Sequence, residues 1–184
     1  MPRSETSVTH IALLRGLNVG GKNKLPMKDL AALFSAAGAS KVQTYIQSGN
    51  VVFQAADGAA MVGARVSQAI LKQAGLRIPI VVRSSAELRE ALQHNPFLER
   101  WNPDALHLVF LADRPKPAAV AGLDPKRSPT DSFAVRGREV YLHCPGGYGN
   151  TKLTCAFFDA KLATVSTCRN WRTSQKLLEL ATAA

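Results

Sequence analysis

Short apolar runs and amphipathic stretches alternate along this 184-residue chain in an order that nearly repeats. Val8 to Gly16 is a largely apolar run closed by glycine, the pattern of a buried strand. Met27, Leu30, Ala31, Phe34 and Ala37 follow at helical spacing until Gly38. Val42 to Gln47 alternates as a half-buried strand, Ser48-Gly49-Asn50 is turn chemistry, and Val51 to Gln54 is the returning arm of a hairpin. Val62, Val66, Ala69 and Ile70 mark a second helix, and Arg77 to Arg83 a further strand whose Pro79 argues for a sheet edge or an irregular start. The first half therefore reads β-α-β-β-α-β, the ferredoxin-like order.

The second half reads almost the same way. Ser84 and Glu87 form a capping box for a short helix through Leu92, and Asn95-Pro96 interrupts it. Leu106 to Ala112 is a strand, Pro117 to Leu123 a short helix, and Asp131 to Arg136 and Glu139 to Cys144 a hairpin around Gly137-Arg138. Thr151 to Ala163 is read as a helix opening directly from the glycine-rich Pro145–Asn150 loop, with Leu153, Ala156, Phe157 and Ala160 on one face. A last helix over about Asn170 to Ala181 stands where the first half has a strand. The expected fold is α+β, two ferredoxin-like subdomains packed as one compact unit, 1–84 and 85–184, without a flexible linker. The halves share the order of elements, with no visible identity of residues.

Charge narrows the function. Twenty-three Lys and Arg against thirteen Asp and Glu leave a net +10. In the first 28 residues, Arg3, Arg15, Lys22, Lys24 and Lys28 face only Glu5, and Gly58 to Ala86 holds no acid at all. Such an imbalance concentrates polyanions near the surface. The N-terminal stretch has no apolar leader core, and the longest apolar run, Leu106 to Ala112, is far too short to cross a bilayer. A cytoplasmic protein with no membrane partner is expected. Cys144, Cys155 and Cys168 are odd in number and form no CxxC, so buried free thiols are expected and a metal site is not.

Three segments could hold an anion. In the loop after the first strand, glycines at 16, 20 and 21 can turn backbone N–H groups toward a phosphate, with Arg15, Lys22 and Lys24 around them and Asn18 among them. Gly16 and Gly21-Lys22 partly match a P-loop. However, Asn23 replaces the magnesium-binding hydroxyl and Pro26 delays the helix, which argues against an NTPase and leaves no cofactor motif. The glycines would equally serve a tight exit from the strand. Ser48 and Asn50 are polar neighbours at the hairpin turn. No GxSxG surrounds Ser48, so it is not read as a nucleophile. The Pro145–Lys152 loop offers Lys152 in a helical first turn, and Arg169-Asn170-Trp171 pairs a guanidinium with an aromatic that could stack on a base. Trp171 reads more simply as a core anchor of the last helix.

The stretches ALLRGLNVGGKNKLPMKDL, TYIQSGNVVF, NPF at Asn95 to Phe97, YLHCPGGYGNTKL and TCRNWRT together resemble the domain-of-unknown-function family 1697 from about Val8 to Leu180. Leu17 stands where that family usually has a β-branched residue. The resemblance implies a mostly bacterial, cytoplasmic α+β protein with ferredoxin-like halves, and it carries over no catalytic residue. The sequence thus leads to an anion binder, nucleic acid being favoured by net charge. A phosphate- or carboxylate-bearing small molecule held between the two subdomains is the alternative.

Overall fold

The computed structural model describes residues 8–56, 58–99 and 101–184. Arg3 and Glu5, counted above in the basic N-terminal charge, lie outside them, as does the stretch before residue 8 that was read for a leader. The chain divides into two units, one running to Arg89 and taking in Leu177–Ala184, the other Glu90–Lys176.

In the first unit, β1 (Val8–Leu14), β2 (Ser40–Tyr45), β3 (Asn50–Ala55) and β4 (Ile80–Ser84) form one sheet in the order β2-β3-β1-β4, antiparallel throughout. Two helices, α1 (Met27–Ala36) and α2 (Ala59–Ala74), are threaded between the strands in the ferredoxin-like order. α1 starts where Pro26 presents its carbonyl to the amides of Asp29 and Leu30. It buries Leu30, Leu33 and Phe34, and α2 buries Val62, Val66 and Ile70. Both sets close on the alternate residues Ala12, Leu14, Val51 and Phe53 of the central strands. Each such side chain contributes about 1.5–3 kcal/mol by leaving water. β4 begins just after Pro79 and lies at a sheet edge, where a residue without an N–H costs least. The box at α3 (Ser85–Gln93) forms as expected: Glu87 Oε2 accepts the Ser84 amide at 2.7 Å and Ser84 Oγ accepts the Glu87 amide at 3.2 Å.

The second unit repeats the sheet with β5 (Leu106–Leu111), β6 (Ser132–Arg136), β7 (Glu139–His143) and β8 (Ser166–Asn170) in the order β6-β7-β5-β8, again all antiparallel. Two expectations are corrected here. The half does not pass straight from helix to helix, because β8 pairs with β5 and completes the plait before α6 (Trp171–Ala183) starts. The glycine loop also does not open α5 (Cys155–Leu162). Thr151–Thr154 is extended, burying Leu153, and Thr154 is the N-cap, its Oγ1 accepting from the Phe157 amide at 3.2 Å. The buried stripe is accordingly Cys155, Phe158 and Leu162, with Ala156 and Ala160 exposed. α4 (Pro117–Ala121) is the remaining short helix.

The repeat reaches the hydrogen bonds. Leu14 N–H donates to Gly49 O at 2.8 Å, and Leu111 N–H to Arg138 O at 2.8 Å; Arg15 N–H donates to Pro79 O, and Ala112 N–H to Val165 O. In these matching ladders His10 corresponds to His107, Leu14 to Leu111 and Arg83 to Arg169, so the halves do share residues. Both arginines are buried, and each donates Nη1 to the carbonyl of the residue before it, at 3.0 and 2.7 Å.

The two histidines have a measurable consequence. His10 lies against Phe53 and His107 against Tyr148, and the Nδ1 atom of each is buried without a hydrogen-bond partner. Burial, the largest influence on both, lowers their pKa; the Val8 and Ala105 backbones and, for His10, Glu87 oppose it more weakly. His143 is lowered for the same reason. A lowered folded-state pKa means the unfolded chain takes up protons first as pH falls below about 6.5, so stability present above that pH is lost on acidification. The thermal midpoint at pH 5.5 is expected below that at pH 7.5. His10→Phe with His107→Phe is expected to flatten the difference, and an unchanged difference in that variant would contradict this assignment.

Candidate anion site at one end of the first sheet

Three segments meet where β1 ends. Leu13 pairs with Asn50 and Leu14 with Ile80, so the β2–β3 turn and the approach to β4 flank the loop that leaves β1. Main-chain bonds from Leu14 to Gly49 and from Arg15 to Pro79 tie the three together. Gly49 has φ +77°, and a Cβ there would lie 2.7 Å from the Leu14 Cβ and 3.3 Å from that of Leu17. Leu17, fully buried, is the loop's root in the apolar core.

Above that root the loop is held by its own amides. Asn18 Nδ2 donates to Leu25 O and to Gln47 O, both at 2.9 Å, and Asn18 Oδ1 accepts the Leu25 amide at 2.8 Å. Asn23 Nδ2 donates to Gly16 O at 2.9 Å, and the Lys22 amide donates to Val19 O. Asn18 is therefore a clip between loop and turn, and its side chain is fully engaged. Ser48 and Asn50 serve the turn: Asn50, fully buried, donates to Tyr45 O and Ser48 Oγ at 3.1 Å each. Gly16, Gly20 and Gly21 all have positive φ, and a Cβ on Gly20 or Gly21 would touch nothing, so conformation and not space demands glycine there. Among the described residues no hydrogen bond engages the exposed Gly20 and Gly21 amides. Phosphate-loop geometry is absent, since α1 starts only at Met27 and the sheet is antiparallel.

The charge at this end is mostly positive, Asp29 in the first turn of α1 being the nearest acid in sequence. Residues 15–28, 46–49 and 75–79 hold Arg15, Lys22, Lys24, Lys28 and Arg77 and no acid. Lys22, Lys24 and Arg77 are exposed, and Arg15 is half-buried. Arg77 was not among the candidate site residues read from sequence; the closure of its segment against β1 shows only in the bond from the Arg15 amide to Pro79 O and the pairing of β1 with β4. The equivalent end of the second sheet mixes signs, with Asp113 and Glu139 beside Arg114, Lys116 and Arg138. The Asp113 amide and carboxylate both meet Thr164 Oγ1, so the acid serves a loop contact.

The remaining candidates belong to the second unit. Arg169 is 8% exposed and donates Nη1 to Thr167 Oγ1 at 2.8 Å; burial pushes its pKa down to about 10, which leaves it charged at neutral pH. Asn170 caps α6, its Oδ1 accepting the Thr173 amide at 2.7 Å, and Trp171 is 4% exposed. Neither Arg169 nor Trp171 is presented to solvent for stacking. Lys152 is exposed on the extended stretch before α5, its amide donating to Ser128 Oγ. Burial raises the Cys144 thiol to about 11 and Cys168 further, the pattern of inert core thiols. Among the described residues no cluster of His, Cys, Asp or Glu is arranged to hold a metal, and no helix is long and apolar enough to cross a membrane.

A conserved bacterial protein, SP0830, from Streptococcus pneumoniae has a similar solved structure, with a TM-score of 0.74 at 20% identity over 96% of this chain and 99% of that one. That likeness speaks to the fold. No curated protein matches the sequence. The model of one family, described as protein of unknown function (DUF1697), matches residues 8–141, well over half of the sequence, and the chain belongs to that family.

Proposed function

We propose that this protein binds nucleic acid through the sugar-phosphate backbone, at the end of the first sheet. The observation that carries the reading is the convergence there of Lys22, Lys24 and Arg77, all exposed, with Arg15, on two segments, 15–24 and 75–79, that hold no carboxylate. A polyanion gains from several cations spread over an open surface. The internal clips of Asn18 and Asn23 set the loop in advance and lower the ordering cost of binding. Val19 and Ile46, 58% and 49% exposed on the loop and the adjoining turn, supply apolar surface for bases. Ile46, the first residue of the turn, has φ 49°, a costly conformation for a β-branched residue.

Fluorescence anisotropy with a labelled single-stranded RNA, from 25 to 200 mM salt, tests this. Binding should weaken with salt, and Lys22→Ala with Lys24→Ala should lower the magnitude of the log–log slope by about 1.4, roughly 0.7 for each phosphate no longer neutralised. Arg114→Ala with Lys116→Ala, at the mixed-sign end, should leave the slope in place. Equal reductions in both variants would reduce the interaction to bulk charge.

A further inference from the structure

We infer that the strand held at the basic end places one unpaired base in a groove beside it, so that the partner is single-stranded; this rests on the backbone-binding reading above. The groove is a cavity of about 250 Å³ within the first unit. Ser67, Gln68 and Leu71 of α2 line one side, and Arg77, Ile78 and Pro79 of the segment entering β4 line the other. Sites that enclose a whole small molecule usually measure roughly 300–1,000 Å³, so this one suits a single ring system.

Both walls follow from the fold. Ser67 and Leu71 lie one turn apart on α2, beside the stripe of Val62, Val66 and Ile70 that faces the core. Residues 75–79 are in neither helix nor strand, and Ser67 Oγ donates to Ile78 O at 2.9 Å, which holds that segment against the helix. Ile78 is buried and roots it in the core. Leu71 is 39% exposed, an apolar side chain left in water at the edge of an apolar concavity.

Two lining residues also belong to the basic end. Pro79 O accepts the Arg15 amide, and Arg77 is one of the exposed cations there. A phosphate met at Arg77 therefore lies next to the groove, and the apolar-faced group nearest a phosphate in a strand is its base. Gln68 adds an amide that can pair with a base edge. In a duplex the faces of each base are stacked, and extracting one costs stacking and pairing that a single strand has already given up. The groove thus selects single strands, where cations alone would accept either form.

Fluorescence anisotropy of the full chain at low salt compares three labelled probes of equal length: a single-stranded RNA, its duplex, and a strand of abasic spacers. The single strand should bind about tenfold more tightly than the abasic one, the effect of one stacked base. It should also outbind the duplex, whose denser charge would otherwise favour it. Leu71→Gln, which suits a helix and removes the apolar wall, should bring the ratio over the abasic strand to about threefold or less. Gln68→Ala, at an exposed position, should lower it too even if Leu71→Gln folds poorly. Met61→Gln, an exposed apolar position of α2 outside the groove, should keep it. Equal affinity for ordinary and abasic strands, or a duplex bound as tightly as the single strand, overturns the groove and leaves backbone binding standing. A ratio untouched in both Leu71→Gln and Gln68→Ala does the same. Failure of every probe to bind overturns the groove together with the reading it rests on.

Discussion

Gly49→Ala is expected to destabilise the first unit by about 2–5 kcal/mol. Two costs add. An L-residue at φ +77° loses roughly 1–2 kcal/mol to the clash of its Cβ with its own backbone. The new methyl must also displace Leu14 Cβ, 2.7 Å away, and Leu17 Cβ at 3.3 Å; overpacking of this kind costs about 1–3 kcal/mol. Neither neighbour can yield easily, since Leu14 lies in the central strand and both are fully buried. Because Gly49 also joins the turn to the loop through the Leu14 amide, the basic end should loosen with it. Urea unfolding checks the size; a change below about 1 kcal/mol would mean that the turn relaxes freely. Gly20→Ala, with the same sign of φ and open space around it, should lose only the conformational part.

Asp131→Ala should be nearly as damaging to the second unit, by about 2–4 kcal/mol. Asp131 Oδ2 accepts from Ser128 Oγ at 2.5 Å and from Thr151 Oγ1 at 2.6 Å. Both hydroxyl residues are buried, and Ser128 Oγ in turn accepts the Lys152 amide. One carboxylate thus joins the turn before β6 to the extended stretch before α5. Hydrogen bonds to a charged group contribute about 1.5–3 kcal/mol, and removing their acceptor strands two buried hydroxyls. Asp131→Asn, which keeps an acceptor oxygen, should cost less than Asp131→Ala in the same urea titration. Equal costs would mean that a neutral acceptor recovers nothing and that the carboxylate's charge carries the whole contribution, and a loss below about 1 kcal/mol in Asp131→Ala would contradict the assignment.

The first unit was legible because its strands announce themselves by alternation and its helices by period. β8 was not, for a physical reason. Ser166, Thr167, Cys168, Arg169 and Asn170 carry no apolar alternation, since the strand buries hydroxyls and a guanidinium whose bonds are made locally, and α6 follows without a loop. The start of α5 was placed too early, at Thr151, because a threonine's cap chemistry is the same at 151 as at 154. Burial of Leu153 in an extended segment decides for Thr154. The basic loop was legible from its glycines and lysines, whereas Arg77 reaches it only through the pairing of β1 with β4.

The account rests most heavily on where an anion meets the first unit. Amide chemical shifts of isotopically labelled protein, titrated with a short single-stranded RNA, test that directly. The account predicts changes concentrated in residues 15–24, 46–49 and 75–79, with residues 112–116 and 137–139 nearly still. Changes spread evenly over exposed lysines and arginines, or centred on the second unit, would contradict it.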